Sequence, residues 1–190
     1  PVYLPSEPDK LLWVNGHRCV NTFDAGSMPT IADDYTDAGS IYLDRVEAHI
    51  RMICGTDENA AILTQWLAHQ VQHPGMKILW APLIQSVEGI GKSFFAELLR
   101  HSLGVENVGV VNPQQLTSSF NAWAGGVCVN VLEELKIAGH NRYEALNAVK
   151  PLITDDFIQI NPKGVSAYML PNVTNYIAFT NAMDALPLNA

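Results

Sequence analysis

The apolar positions from Ile41 to Cys54 recur at intervals of three or four residues, which is the period of an amphipathic helix. A second pattern of the same kind starts at Asp57 and is stopped by Pro74-Gly75, because proline and glycine both end helices. We expect the two helices to pack against each other as a small unit. Their predicted apolar stripes consist of Leu43, Val46, Ile50 and Ile53 in the first helix and of Ile62, Leu63, Trp66, Leu67 and Val71 in the second.

Residues 1–40 are instead rich in proline, glycine, aspartate and serine, which predicts extended segments and turns. Downstream of the helical pair, short apolar runs alternate with helical patterns. Helices are predicted from Phe94 to Gly104, from Leu116 to Trp123 before Gly125-Gly126, and in the polar stretch that ends at Ile153. Strands are predicted at Ile78–Ile84, Val108–Val111, Val127–Leu132 and Tyr176–Phe179.

Two further apolar runs, Phe157–Ile160 and Ala167–Leu170, flank the sequence Asn161-Pro162-Lys163-Gly164. A turn of this composition between two strand-like runs is typical of a β-hairpin. Lys163 would then lie at the tip of the hairpin. By itself, a lysine in such a turn is explained as a solvated turn residue.

The most informative polar stretch is Ser86–Ser93, which follows a predicted strand and leads into a predicted helix. A glycine-rich turn in this context points successive backbone N–H groups into one concavity at the positive end of a helix, where polyphosphates bind. Lys92 would reach the β- and γ-phosphates, and the Ser93 hydroxyl would bind Mg²⁺. The alternative is a surface turn that contains Gly-Lys-Ser by chance. The predicted site for ATP and Mg²⁺ consists of Ser86, Gly89, Ile90, Gly91, Lys92 and Ser93.

One position departs from the usual G-x-x-x-x-G-K-[ST] pattern, because Ser86 stands where the first glycine belongs. Serine carries a Cβ atom, so a positive φ at this position would be strained. Gly89 and Gly91 keep the part of the loop nearest the phosphates unobstructed.

Polar side chains follow two of the predicted strands. Glu133 and Glu134 come directly after the strand that ends at Leu132, and Asn181 follows the last strand. Phosphoryl transfer requires carboxylates near Mg²⁺ and near the attacking water, and an amide can bind both the γ-phosphate and that water. Taken singly, Glu133 and Glu134 are also explained by an ordinary polar strand end, and Asn181 is also explained by a turn that starts at asparagine.

Together these motifs resemble the superfamily-3 helicases, in particular the primase-helicases of phages and large DNA viruses. The resemblance covers residues 40–190 and depends on the order and spacing of four motifs, supported by the lead-in sequence Trp66-Leu67-Ala68-His69 with His73-Pro74-Gly75. The four motifs are Ser86–Ser93, Val127–Glu134, the stretch from Lys150-Pro-Leu-Ile-Thr-Asp-Asp to Ile160-Asn-Pro-Lys-Gly, and Tyr176-Ile-Ala-Phe-Thr-Asn181.

The resemblance implies an α/β fold with an AAA+-like P-loop core, a central and mostly parallel sheet, an inserted β-hairpin and a small helical collar before the core. It also implies a hexameric ring that hydrolyses ATP and moves along single-stranded DNA, typically 3′ to 5′, with a covalently linked primase or polymerase. Among the catalytic residues, Glu133 would belong to the Mg²⁺ shell with Ser93. Glu134 would be the water-activating base, Asn181 the sensor of the γ-phosphate, and Lys163 the DNA contact in the ring channel.

Composition limits the setting in which this chemistry takes place. Hydrophobic residues make up 48% of the 190 residues and charged residues 16%, which is enough apolar material for a packed core. The net charge of −8 argues against a surface that coats nucleic acid, although lysines can still act in a narrow channel. The sequence has no signal peptide and no membrane span. Cys19, Cys54 and Cys128 lie far apart and are expected to be reduced thiols in the cytoplasm, which would be that of a host cell if the protein is phage-encoded.

The predicted organisation is an extended and helical collar region at 1–75 and a P-loop ATPase core at 76–190. We expect the chain to be a piece of a larger protein that stops before the arginine finger of the family, and therefore to hydrolyse ATP weakly on its own. Two other classes remain open. One is a P-loop nucleotide or metabolite kinase, and the other is a ring-forming module that binds a nucleotide without cleaving it.

Overall fold

The computed structural model describes residues 1–30, 37–133 and 141–181, except for the side chains of residues 37, 38, 141–146 and 148. The N-terminal part contains an antiparallel pair of strands, β1 (Leu11–Val14) and β2 (His17–Val20). Two helices follow, α1 (Asp37–Cys54) and α2 (Asp57–Gln72). Among all the residues that the structure describes, no helix is both long and apolar enough to cross a membrane.

The two helices confirm the prediction from the apolar period, although α1 begins at residue 37, before Ile41. The Thr56 side chain caps α2 by accepting a hydrogen bond from the Asn59 N–H at 3.2 Å. Two predicted stripe positions are wrong. Leu43 is exposed, because only the C-terminal half of α1 packs against the body of the protein, and Ile62 of α2 is likewise exposed.

The remaining elements alternate between helices and strands, as predicted, up to the final hairpin and strand. They are β3 (Leu83–Gln85), α3 (Ser93–Leu103), β4 (Val108–Val111), α4 (Pro113–Leu116), β5 (Val129–Leu132), α5 (Asn141–Thr154), β6 (Phe157–Ile160), β7 (Tyr168–Pro171) and β8 (Asn175–Thr180).

The central sheet has four parallel strands in the order β3-β8-β5-β4. The middle strands β5 and β8 are buried along their whole length, as expected of a parallel sheet that is covered on both faces. The predicted α/β class with a parallel central sheet is thus confirmed. β8 is the last strand in the sequence, but in the sheet it lies between β3 and β5.

The strand predicted at Ile78–Ile84 is wrong for its first part, because pairing begins only at Leu83. The Ile78 N–H is bound by the Asn175 side chain at 2.8 Å, and Pro82 has no N–H to donate to a ladder. The Pro82 carbonyl still accepts a hydrogen bond from Ala178 N at 2.9 Å. The edge strand is therefore short.

The helix predicted from Leu116 to Trp123 is also wrong. Asn112 and Gln115 form a reciprocal capping box that starts α4 earlier, and the helix ends at Leu116. The residues after Leu116 then run alongside the β6–β7 hairpin instead of continuing the helix. The Asn121 side chain donates to Gln159 O at 2.8 Å and accepts from Asn161 N at 2.6 Å.

The β-hairpin itself is confirmed: β6 and β7 pair antiparallel, with Ile160 opposite Tyr168. Ile158 and Ile160 face a second apolar cluster that lies beside the sheet, whereas Phe157 and Gln159 face outward. The main cluster lies between α1, α2, α3 and the other face of the sheet, and it also contains Tyr3 and Phe23 of the N-terminal segment. The boundary predicted between residues 75 and 76 therefore runs through a shared apolar core.

Candidate functional site

The glycine-rich loop, residues 86–92, connects the end of β3 to the start of α3. Gly89 and Gly91 adopt left-handed backbone conformations with φ of 82° and 89°, which glycine reaches without steric cost. Ser86 does not share this conformation, so the strain expected from its Cβ is absent. Its N–H instead donates to Thr180 O at 3.0 Å and extends the pairing of β3 with β8.

The Lys92 ammonium lies on the concave side of this loop. Its Nζ donates to Ser86 O at 3.1 Å and to Val87 O at 3.2 Å, and also to the Asn181 side-chain oxygen. The Asn181 amide group in turn donates to Glu88 Oε1 at 3.5 Å. Lys92 and Asn181 are therefore in direct contact although 89 positions separate them in the sequence.

These residues border a cleft of about 330 Å³ at the carboxyl ends of the parallel strands. Ligands of open α/β sheets bind at this edge. Because β8 lies between β3 and β5, the residue that follows it, Asn181, lies between the loop that follows β3 and Glu133, which follows β5. The described lining consists of Glu88, Gly89, Gly91, Lys92, Ser93, Glu133, Phe179 and Asn181.

The charges of the cleft bear on what it can hold. Its described lining carries two carboxylates, Glu88 and Glu133, and a single ammonium, Lys92. A free triphosphate would meet more negative than positive charge there, so a divalent cation has to accompany it. The Ser93 hydroxyl and the Glu133 carboxylate are the hard oxygen ligands that Mg²⁺ prefers.

The described residues contain no group of three or more histidine, cysteine, aspartate or glutamate side chains that could hold a metal ion. Mg²⁺ does not require one, because it is commonly bound through one or two protein oxygens together with substrate phosphates. The donor set of this cleft therefore fits a magnesium–nucleotide complex better than a metal ion bound by protein alone.

The structure brings together most, but not all, of the residues predicted for the site. Ser86 contributes through its carbonyl group, and neither Ser86 nor Ile90 is among the lining residues. Glu134, predicted as the catalytic base, lies outside the described residues. Lys163 is exposed in the loop between β6 and β7 and is not part of the described cleft lining.

His49 is a contact of the loop that the sequence did not reveal. It lies on α1, and its Nε2 atom is 3.2 Å from the Gly91 carbonyl oxygen. In the sequence it is a single histidine inside an amphipathic helix, and no motif or spacing connects it with a loop 42 positions downstream.

The fold and the cleft define the class of protein: an α/β protein with a parallel sheet whose strand ends meet a glycine-rich loop. The chain belongs to the family DUF5906, a family of unknown function, whose model matches residues 84–190. No curated protein matches the sequence.

Among solved structures, the chain is similar to the apo structure of the C-terminal region of NrS-1, residues 305–718, with a TM-score of 0.81 at 20% sequence identity. A second structure of the same region, its A form, gives a TM-score of 0.78 at 20% identity. The first match covers 99% of this chain and 44% of the NrS-1 chain, and the second covers 97% and 43%. The chain thus spans less than half of the NrS-1 region and shares its fold over that part.

Proposed function

We propose that this protein is the ATP-binding domain of a superfamily-3 type DNA helicase. In this proposal residues 86–93 form the P-loop of an AAA+-like core, and the protein acts as a ring on single-stranded DNA. The observation that carries the proposal is the strand order of the sheet. It places Asn181 against Lys92 and beside Glu133, so that a glycine-rich loop, an amide and a carboxylate share one cleft.

The contacts of Lys92 indicate how nucleotide binding would proceed. Its ammonium has three donors, and three protein oxygens now accept them. A γ-phosphate oxygen can replace the Asn181 oxygen as the third acceptor. The Asn181 amide would then be free to bind the same phosphate, which is the role of a sensor.

Mg²⁺, when bound, would neutralise part of the phosphate charge and polarise the γ-phosphate. Ser93 and Glu133 are the residues of this chain that would hold it. We propose Glu134 as the base that orients the attacking water. Lys163 would contact the DNA backbone from the hairpin tip, and neighbouring subunits would supply an arginine finger.

The test is calorimetric titration of the protein with ATP in the presence and absence of Mg²⁺. We expect binding with Mg²⁺ and much weaker binding when EDTA is added, because of the two carboxylates in the cleft. Lys92→Ala should weaken binding by about 10- to 100-fold, since a hydrogen bond to a charged group contributes roughly 1.5–3 kcal/mol.

Arg18→Ala is the matched control, because it also removes one positive charge, from the exposed strand β2. This variant should bind ATP as the wild-type protein does. Equal ATP affinity of the Lys92→Ala variant and the wild type, with the same unfolding temperature, would contradict the proposed role of the loop.

A further inference from the structure

Helix α1 contacts the glycine-rich loop through one well-packed histidine. The His49 ring lies edge-on to Phe94, with 5.0 Å between ring centroids, and stacks on Phe95 at 5.8 Å. Both phenylalanines belong to the first turn of α3, directly after the loop. The imidazole is thus held in a fixed orientation against the start of this helix.

The hydrogen bond to the loop defines the tautomer of the histidine. A carbonyl oxygen can only accept, so Nε2 must carry the proton that it donates to Gly91 O at 3.2 Å. The same oxygen also accepts from Phe94 N at 3.1 Å. The Gly91 carbonyl group is therefore held from two sides, by α1 and by α3.

Gly91 permits this approach because it has no side chain. A Cβ atom at this position would lie 2.7 Å from His49 Cε1, which is closer than such atoms approach, and 3.0 Å from His49 Nε2, which is tighter than most such contacts. Gly89 differs, because a Cβ there would meet nothing within 4 Å. The glycine at position 91 thus makes room for the imidazole in addition to allowing a φ of 89°.

We propose that His49 is a positioning residue that orients the Gly91–Lys92 peptide group for phosphate binding. In a trans peptide the C=O and N–H groups point in opposite directions. Holding the Gly91 carbonyl group toward α1 therefore directs the Lys92 N–H group away from α1 and toward the phosphates of the proposed nucleotide. This inference depends on the proposed nucleotide function.

The test compares His49→Gln with His49→Met. Both variants lose the ring and keep a side chain of similar length, but only glutamine retains an N–H donor at the end. The ligands are ATP with Mg²⁺, and AMP, which lacks the β- and γ-phosphates. We expect His49→Met to bind ATP about three- to tenfold more weakly than His49→Gln does, as one net hydrogen bond implies. AMP should bind equally to both.

His69→Met is the matched control. His69 also lies within hydrogen-bonding distance of a backbone carbonyl, 3.3 Å from Met76 O, but it is located on α2 and not among the described lining of the cleft. Its replacement should leave ATP affinity unchanged. In the wild-type protein, ¹⁵N NMR spectra should identify His49 as the Nε2–H tautomer.

Three results would overturn the inference while leaving the proposed function intact. They are equal ATP affinity of His49→Met and His49→Gln, equal losses for ATP and AMP, and an Nδ1–H tautomer in the wild type. Failure of the wild-type protein to bind ATP, with Lys92→Ala indistinguishable from it, would instead overturn the proposed function and this inference together.

Discussion

At the scale of single residues, Lys77 is a partly buried lysine that forms no salt bridge within the described structure. Its Nζ donates to Leu152 O at 2.6 Å, to Asn172 Oδ1 at 3.2 Å and to Thr174 O. It also lies 4.9 Å from the centroid of the Tyr176 ring. Burial lowers the pKa of Lys77 to about 8. Lys77 therefore joins its own segment to the end of α5 and to the residues between β7 and β8, and partial desolvation of its charge opposes this contribution to stability.

This shift predicts a pH-dependent stability. The pKa of lysine in an unfolded chain is about 10.4, so between roughly pH 8 and 10 the unfolded state binds more protons than the folded state. The contribution of Lys77 to the free energy of unfolding should therefore rise with pH across this window. Urea unfolding at pH 7, 8 and 9 should show this rise in the wild type.

Lys77→Arg is the comparison, because arginine stays charged throughout and cannot contribute such a rise. Burial raises the pKa of Cys54 and Cys128, which lowers stability above about pH 9 in both proteins and cancels in the difference. Identical pH profiles for the wild type and Lys77→Arg would show that Lys77 does not titrate in this range.

At the scale of elements, the hairpin β6–β7 is packed along one face and anchored near its turn. Its inner face is buried in the second apolar cluster, and Asn121 and Asn161 tie the end of β6 to the segment that follows α4. Asn161 Nδ2 donates to Ser119 O at 2.8 Å, which fixes the start of the tip. Lys163 is therefore exposed on a turn whose base is held in place.

We predict that Lys163→Ala weakens the binding of single-stranded DNA and reduces its salt dependence. Each lysine–phosphate contact contributes a slope of about −0.7 to the plot of log affinity against log salt concentration. The measurement is a fluorescence titration of a labelled oligonucleotide at several salt concentrations. ATP affinity should stay unchanged, because Lys163 is not among the described residues of the cleft.

Arg18→Ala serves here too as the control, since Arg18 is an exposed cation on the other antiparallel pair of strands. If both variants lost the same affinity and slope, binding would reflect general charge and the hairpin would have no special role.

At the scale of the whole molecule, the N-terminal segment is anchored far from its own position in the sequence. The Tyr3 hydroxyl donates to Asn107 Oδ1 at 2.6 Å and lies 3.3 Å from Cys128 Sγ. The Asn107 side chain also donates to Ser27 Oγ at 2.8 Å. Gly104 allows the close approach of this segment, because a Cβ there would lie 2.3 Å from Ser27 O. The segment and the sheet therefore form one packed unit.

Tyr3→Phe should lower the free energy of unfolding by about 1–3 kcal/mol, because it leaves a buried oxygen of Asn107 without its donor. Urea unfolding followed by tryptophan fluorescence measures this change. Tyr42→Phe is the control, since Tyr42 is 65% exposed on α1. A Tyr3→Phe variant as stable as Tyr42→Phe would show that the hydrogen bond from the Tyr3 hydroxyl to Asn107 does not contribute to stability.

The sequence by itself determined the local features of this protein. The period of α2, its stop at Pro74-Gly75, the hairpin turn and the glycine-rich loop are each encoded within a few neighbouring residues. Local patterns failed where a distant contact changed the local preference. Asn121 follows the hairpin instead of continuing a helix, and Leu43 lies on a part of α1 that nothing described covers.

Only the tertiary structure decided which of these features meet. The insertion of β8 between β3 and β5 brings Asn181 to Lys92, and the packing of α1 on α3 brings His49 to Gly91. The periodicity of apolar residues does not predict such contacts, because strand order and helix packing depend on how all the apolar surfaces are buried together. The sequence therefore supplied the residues of the candidate site, whereas the packing of the sheet and its helices supplied their arrangement.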